Sequence, residues 1–88
     1  MKTSYAVTQN EAQSRFEVVI DGHTAVLEYQ LEEGKIIFTH TGVPAALEGR
    51  GVGSALAKHA LAFARAKNLN VLALCWFVEK YMQRHPNE

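Results

Sequence analysis

Eighty-eight residues suffice for one small domain, residues 1–88, and leave no room for a second. Apolar residues make up 48% and charged residues 20%, which excludes a disordered chain, and nine Lys and Arg balance nine Asp and Glu. A neutral chain lacks the positive excess that displaces counterions from phosphates, and no apolar run nears the ~20 residues that cross a bilayer, so neither nucleic acid nor membrane is expected as a partner.

Residues 1–14 are polar and warrant a short strand at most, and nothing in them has the apolar h-region of a secretory signal. Residues 16–20 and 24–31 are rich in β-branched and aromatic side chains, with Asp21-Gly22 between them to accept the positive φ angles of a tight hairpin. Ala25, Leu27 and Tyr29 alternate with Val26, Glu28 and Gln30, which points to partial cover on both faces. After a turn at Glu32-Glu33-Gly34, residues 35–41 form a third strand, with a bulge or early stop expected at Gly42 and Pro44.

The period then changes. Val52, Leu56, His59 and Phe63 fall on one stripe at ~100° per residue, flanked by Ala55, Ala60 and Ala66, and predict an amphipathic helix over 51–67 with Asn68 as its left-handed cap. Residues 71–74 contain no polar side chain, as a central strand covered on both faces should read. A second helix is expected over 77–84, closed by Pro86. The order β-β-β-α-β-α defines an α/β (α+β) fold: a three-stranded antiparallel meander, a helix, a fourth strand parallel to the third, and a C-terminal helix.

Glu48-Gly49-Arg50-Gly51-Val52-Gly53-Ser54 joins the third strand to the first helix. Alternate glycines permit a tight turn, and the unpaired N–H groups opening a helix, aided by its dipole, suit a phosphate or diphosphate. The spacing is G-x-G-x-G rather than the dinucleotide G-x-G-x-x-G, and no Gly-Lys-Ser/Thr follows. A turn that merely needs glycine is the competing explanation.

Residues 43–56 resemble the acyl-CoA loop of the GNAT superfamily of N-acetyltransferases, whose Gln/Arg-x-x-Gly-x-Gly/Ala pattern places its glycines on Gly51 and Gly53. Glu48 departs from the usual Gln or Arg. The resemblance runs from Arg15-Phe16 to His85-Pro86 and is narrower to a small subfamily with a late cysteine. It implies a minimal GNAT-like fold that binds acetyl-CoA or CoA, with the diphosphate on the amides of Arg50, Gly51, Val52, Gly53 and Ser54. It also implies a splay between the third and fourth strands for the pantetheine arm. The backbone N–H near Val43 would serve as oxyanion donor.

Cys75 ends the last strand just before the second helix. A helix N-terminus stabilises a thiolate, whereas apolar Trp76 and Phe77 oppose it, so a reactive thiol and inert packing both remain open. The resemblance adds a role near the acetyl group, with transfer through Cys75. In many GNAT enzymes a tyrosine on this helix protonates the leaving thiolate, which would fall to Tyr81; ring packing is the alternative. His40 closes the third strand, where it either takes the ammonium proton or points to solvent. His59, on the apolar stripe, reads as a core histidine, and Glu48 reads either as an attractor of a cationic acceptor or as a solvated carboxylate at a helix start. His23, His40, His59 and His85 lack ligand spacing, so no metal is expected.

A single cysteine forms no internal disulfide, which suits a cytoplasmic setting. The thin core of so short a chain is compatible with a monomer or weak homodimer. Relative to the superfamily, the chain has no helices between its first two strands and no final hairpin, elements that usually wall the acceptor pocket. These readings converge on an acetyl-CoA-dependent N-acetyltransferase acting on an unidentified primary amine, with a protein lysine among the candidate acceptors. A CoA-binding module without turnover is the alternative.

Overall fold

The computed structural model describes residues 5–86. Five strands, β1 (Thr8–Asn10), β2 (Arg15–Ile20), β3 (His23–Glu32), β4 (Lys35–Gly42) and β5 (Asn70–Ala73), combine with helices α1 (Val52–Ala66) and α2 (Trp76–Arg84) and a 3₁₀ turn at Ala45–Leu47. The strands lie in sequence order in one sheet. The first four pair antiparallel and β5 pairs parallel to β4, as a strand–helix–strand crossover requires. The polar N-terminal segment adds β1, one antiparallel strand more than the meander of three. Asp21 and Gly22 both have positive φ, 52° and 80°, in the two-residue turn between Ile20 and His23. This is the turn whose twist matches the hairpin strands.

Phe16, Val18, Ala25, Leu27, Tyr29, Ile36 and Phe38 alternate onto one face and are buried. Both helices press their buried residues into that same cluster. The bulge lies earlier than expected. Glu28 pairs with His40 and Tyr29 with Phe38, so Thr39 is the extra residue and β4 continues through Gly42. Past that bulge the alternation resets, and Thr41, opposite Leu27, returns to the helix-bearing face. Its neighbour His40, opposite Glu28, faces the other way.

Two expectations need correction. β5 is an edge strand, not a central one: Leu72 is 46% and Leu74 67% exposed, because β5 has only β4 beside it and the helices cover only one face. The buried stripe of α1 is also rotated from the predicted one, running through Val52, Gly53, Leu56, Ala57, Ala60, Leu61 and Ala64. Small residues let the helix axis approach the sheet closely, so the glycine and alanines win the contact face. His59 is consequently an exposed residue rather than a core one, its ring edge-on to Phe16 at 5.5 Å, and Phe63 is half-buried. At the far end Asn68 takes φ +56°, Asn68 N–H bonds the Arg65 carbonyl and Leu69 N–H the Ala64 carbonyl, the paired bonds of a Schellman cap.

Candidate functional site

The β4–β5 ladder ends where Phe38 faces Ala73. There the Phe38 carbonyl accepts from both Leu74 N–H (3.0 Å) and Cys75 N–H (3.1 Å), which closes β5 and starts the chain into α2. β4 runs on through residues 39–42 without a neighbour on that side. The two strands therefore part, and β4 has no ladder partner on that side beyond Phe38.

Above this gap lies a cleft of about 470 Å³. It is lined by Thr41 and Val43 beyond the parting strands, by Gly51, Gly53 and Ser54 at the start of α1, and by Phe77 at the start of α2, among others. Gly51 is the N-cap of α1 at φ +80°, a left-handed conformation, with no side-chain cap and no acidic residue in the first turn. The first-turn amides of Val52, Gly53 and Ser54 thus have no intrahelical acceptor and no acidic side chain within their own turn. Gly53 has a different reason to be glycine. A Cβ there would stand 2.8 Å from Phe77 Cζ, so the two helix starts touch through its missing side chain.

Cys75 is the N-cap of α2 and half-buried. Its Sγ lies 3.0 Å from Thr41 Oγ1, across the gap. Burial pushes the thiol up, but the Thr41 hydroxyl and backbone groups of Val78, Phe77 and Thr41 together outweigh it and hold the thiol below its ordinary range. The sulfur forms no cap hydrogen bond of good geometry, so the helix amides act on it as nearby dipoles.

The fold thus brings Val43, Gly51, Val52, Gly53 and Ser54 into one cleft, with Cys75 hydrogen-bonded to the Thr41 that lines it. Arg50 is exposed beside the cleft, and its carbonyl accepts a 2.6 Å hydrogen bond from the Tyr5 hydroxyl. Glu48 lines the cleft and is exposed. His40 and Tyr81 are not brought to its lining. The His40 ring lies over Gly42 on the face away from Thr41, with Nε2 3.2 Å from where a Gly42 Cβ would stand. Tyr81 is 7% exposed, six residues beyond Cys75 or about 9 Å along the helix axis, its ring stacked on His85 at 4.2 Å.

Thr41, Tyr5 and the contact of Phe77 with Gly53 escaped the sequence reading. Alternation places Thr41 correctly only once the bulge at Thr39 is known, and nothing local signals a contact between Tyr5 and Arg50, 45 residues apart. Two other hollows, of about 600 and 580 Å³, lie around Tyr29, Leu31 and Glu32 and touch neither the glycine turn nor Cys75. Among the described residues no three His, Cys, Asp or Glu group as a metal site, and no helix is long and apolar enough to cross a membrane.

Residues 15–88 match the family model described as GCN5-related N-acetyl-transferase. Protein NATD1 of Xenopus tropicalis is 33% identical over 87 residues, covering 96% of this chain and 80% of the relative. Protein NATD1 of Mus musculus is 35% identical over 83 residues, 91% of this chain and 76% of the relative. The Homo sapiens protein of that name is also 35% identical over 83 residues, with coverages of 91% and 74%.

Proposed function

This chain belongs to the GCN5-related N-acetyltransferase family, and from that premise we propose that it is an acyl-CoA N-acyltransferase moving an acetyl group from acetyl-CoA to a primary amine. The observation that carries the reading is the left-handed Gly51 cap, which opens uncapped helix amides into the same cleft as the parted edge of β4. The diphosphate of the substrate lies on the amides of Arg50, Gly51, Val52, Gly53 and Ser54, where the helix dipole favours an anion. The pantetheine amides pair with the open backbone of β4 as an added strand would. The Val43 N–H then faces the thioester carbonyl oxygen and stabilises the charge that develops there.

We further propose that the acetyl group passes through Cys75. Its thiolate attacks the thioester carbonyl carbon, the bond to the CoA sulfur breaks, and CoA leaves as a thiolate that takes up a proton. A neutral amine then attacks acetyl-Cys75, the Cys75 thiolate departs, and the amine's proton passes to water at the open mouth. Thr41, 3.0 Å from the sulfur, steadies the thiolate in both steps. This route is carried without His40 and Tyr81, neither of which lines the cleft. The helices and hairpin that usually wall the acceptor pocket in the superfamily have no counterpart among the described elements, and an unenclosed site selects small amines poorly, which favours a lysine on a protein as acceptor.

The test is mass spectrometry of the protein mixed with acetyl-CoA, alongside calorimetry with CoA. An acetyl adduct on Cys75 that disappears when amine is added supports the relay. Turnover with Cys75→Ala at the wild-type rate refutes the relay and leaves direct transfer. A second reading, CoA binding without turnover, is favoured by the Glu48 carboxylate on the cleft lining, where the family usually has Gln or Arg. Tight CoA binding with no CoA release across peptide and amine acceptors would establish it.

A further inference from the structure

The glycine turn is held by a residue far from it in sequence. Gly49 and Gly51 both sit at positive φ, 78° and 80°, on either side of Arg50. The Arg50–Gly51 peptide turns about ψ of Arg50 and φ of Gly51, and glycine passes between left- and right-handed φ at little cost, so its orientation is only weakly held by the local backbone. In a trans peptide the carbonyl and the following N–H point in opposite directions, and the described residues contain no cis bond. Rotation of this one peptide would exchange the Arg50 carbonyl for the Gly51 amide and turn the negative end of a dipole toward an anion seated on the turn.

Tyr5 opposes that rotation. Its hydroxyl donates to the Arg50 carbonyl at 2.6 Å, and its half-buried ring packs against the core. Gly49 and Gly51 line the cleft, whereas Tyr5 and Arg50 do not, so the bond draws the carbonyl to the side away from it. Strand β1, three residues on, fixes the chain that carries Tyr5 by pairing with β2. We propose that Tyr5 is a positioning residue for the anion site, a latch from the N-terminal segment that holds the glycine turn in its diphosphate-accepting orientation. This inference rests on the reading of the turn as the CoA diphosphate site.

Tyr5→Phe keeps the ring and its packing and removes only the hydroxyl. Chemical-shift titrations of wild type and Tyr5→Phe with CoA and with pantetheine, which lacks the diphosphate, separate the possibilities. One hydrogen bond of ordinary net strength predicts a ~3–10-fold weaker affinity of the variant for CoA. Affinity for pantetheine is expected to stay within two-fold, and the melting temperature of the ligand-free variant to fall by no more than the roughly 4–8 °C that one such hydrogen bond is worth in a domain this small. CoA affinity within two-fold of wild type overturns the latch, as does an equal loss for both ligands, which marks a general structural defect. No CoA binding by wild type at millimolar ligand is a separate outcome; it removes the diphosphate site itself and the latch with it.

Discussion

Gly53→Ala is a test of the packing that builds the cleft. At most exposed helical positions this change stabilises by about 1 kcal/mol, because alanine loses less backbone entropy. Here an ideal Cβ stands 2.8 Å from Phe77 Cζ, 3.2 Å from Cε2 and 3.3 Å from Cε1, so the ring must be displaced. Overpacking of this kind costs ~1–3 kcal/mol, and offsetting it by the propensity gain leaves a net loss of about 0–2 kcal/mol. Urea denaturation reads this directly, and in a domain this small 1 kcal/mol moves the melting temperature by roughly 4–8 °C. The Phe77→Ala background is decisive: with the ring gone, the same Gly53→Ala change should become stabilising, for a coupling of ~0.5–3 kcal/mol. Since Phe77 and Gly53 share the cleft lining, the single variant should also bind CoA more weakly. A gain of about 1 kcal/mol from Gly53→Ala in the wild-type background, or no coupling to Phe77, would refute the close approach of the two helix starts.

Gly51→Ala should cost ~1–2 kcal/mol through its left-handed φ alone, with nothing within 4 Å to collide, and Phe77→Ala should not relieve it. Alkylation of Cys75 followed against pH should show a midpoint below the ordinary thiol value of 9.0, and Thr41→Val should raise it where Thr41→Ser does not. The same lowered pKa has a thermodynamic sign. The contribution of Cys75 to stability is complete above the unfolded thiol's pKa and is lost as pH falls through the folded one, so wild type should gain on Cys75→Ser between neutral and alkaline pH in parallel urea titrations. Leu72→Thr on the edge strand should change stability by no more than ~0.5 kcal/mol, while Leu56→Ala, fully buried, should cost ~2–5 kcal/mol; comparable losses at both would restore a covered β5.

Local signals in the chain were enough for much of this architecture. The hairpin followed from Asp21-Gly22, the end of α1 from Asn68, and the parallel return of β5 from a strand–helix–strand order that admits little else. The helix opening at the glycine turn and the cysteine opening α2 were legible because special backbone conformations and chain position leave a residue-level mark. What the order of residues could not convey was which neighbour each face meets. An apolar run such as Val71-Leu72-Ala73-Leu74 reports hydrophobicity, not cover, and so reads alike at the centre and at the edge of a sheet. A helical stripe rotated by one residue differs little in apolar content, and close packing of Gly53, Ala57, Ala60 and Ala64 on the sheet selected one rotation over another.

By itself, then, the sequence determined the elements from β2 onward, their order and the two helix starts that open the cleft, because turns, caps and periodicity act over a few residues. Only the tertiary structure decided that an extra residue at Thr39 sends Thr41 toward Cys75 and His40 away from it, and that Tyr5 reaches Arg50. Contacts between residues 34 and 45 positions apart depend on the accumulated register of the intervening strands and on how closely the helices settle, and no local interaction encodes that sum.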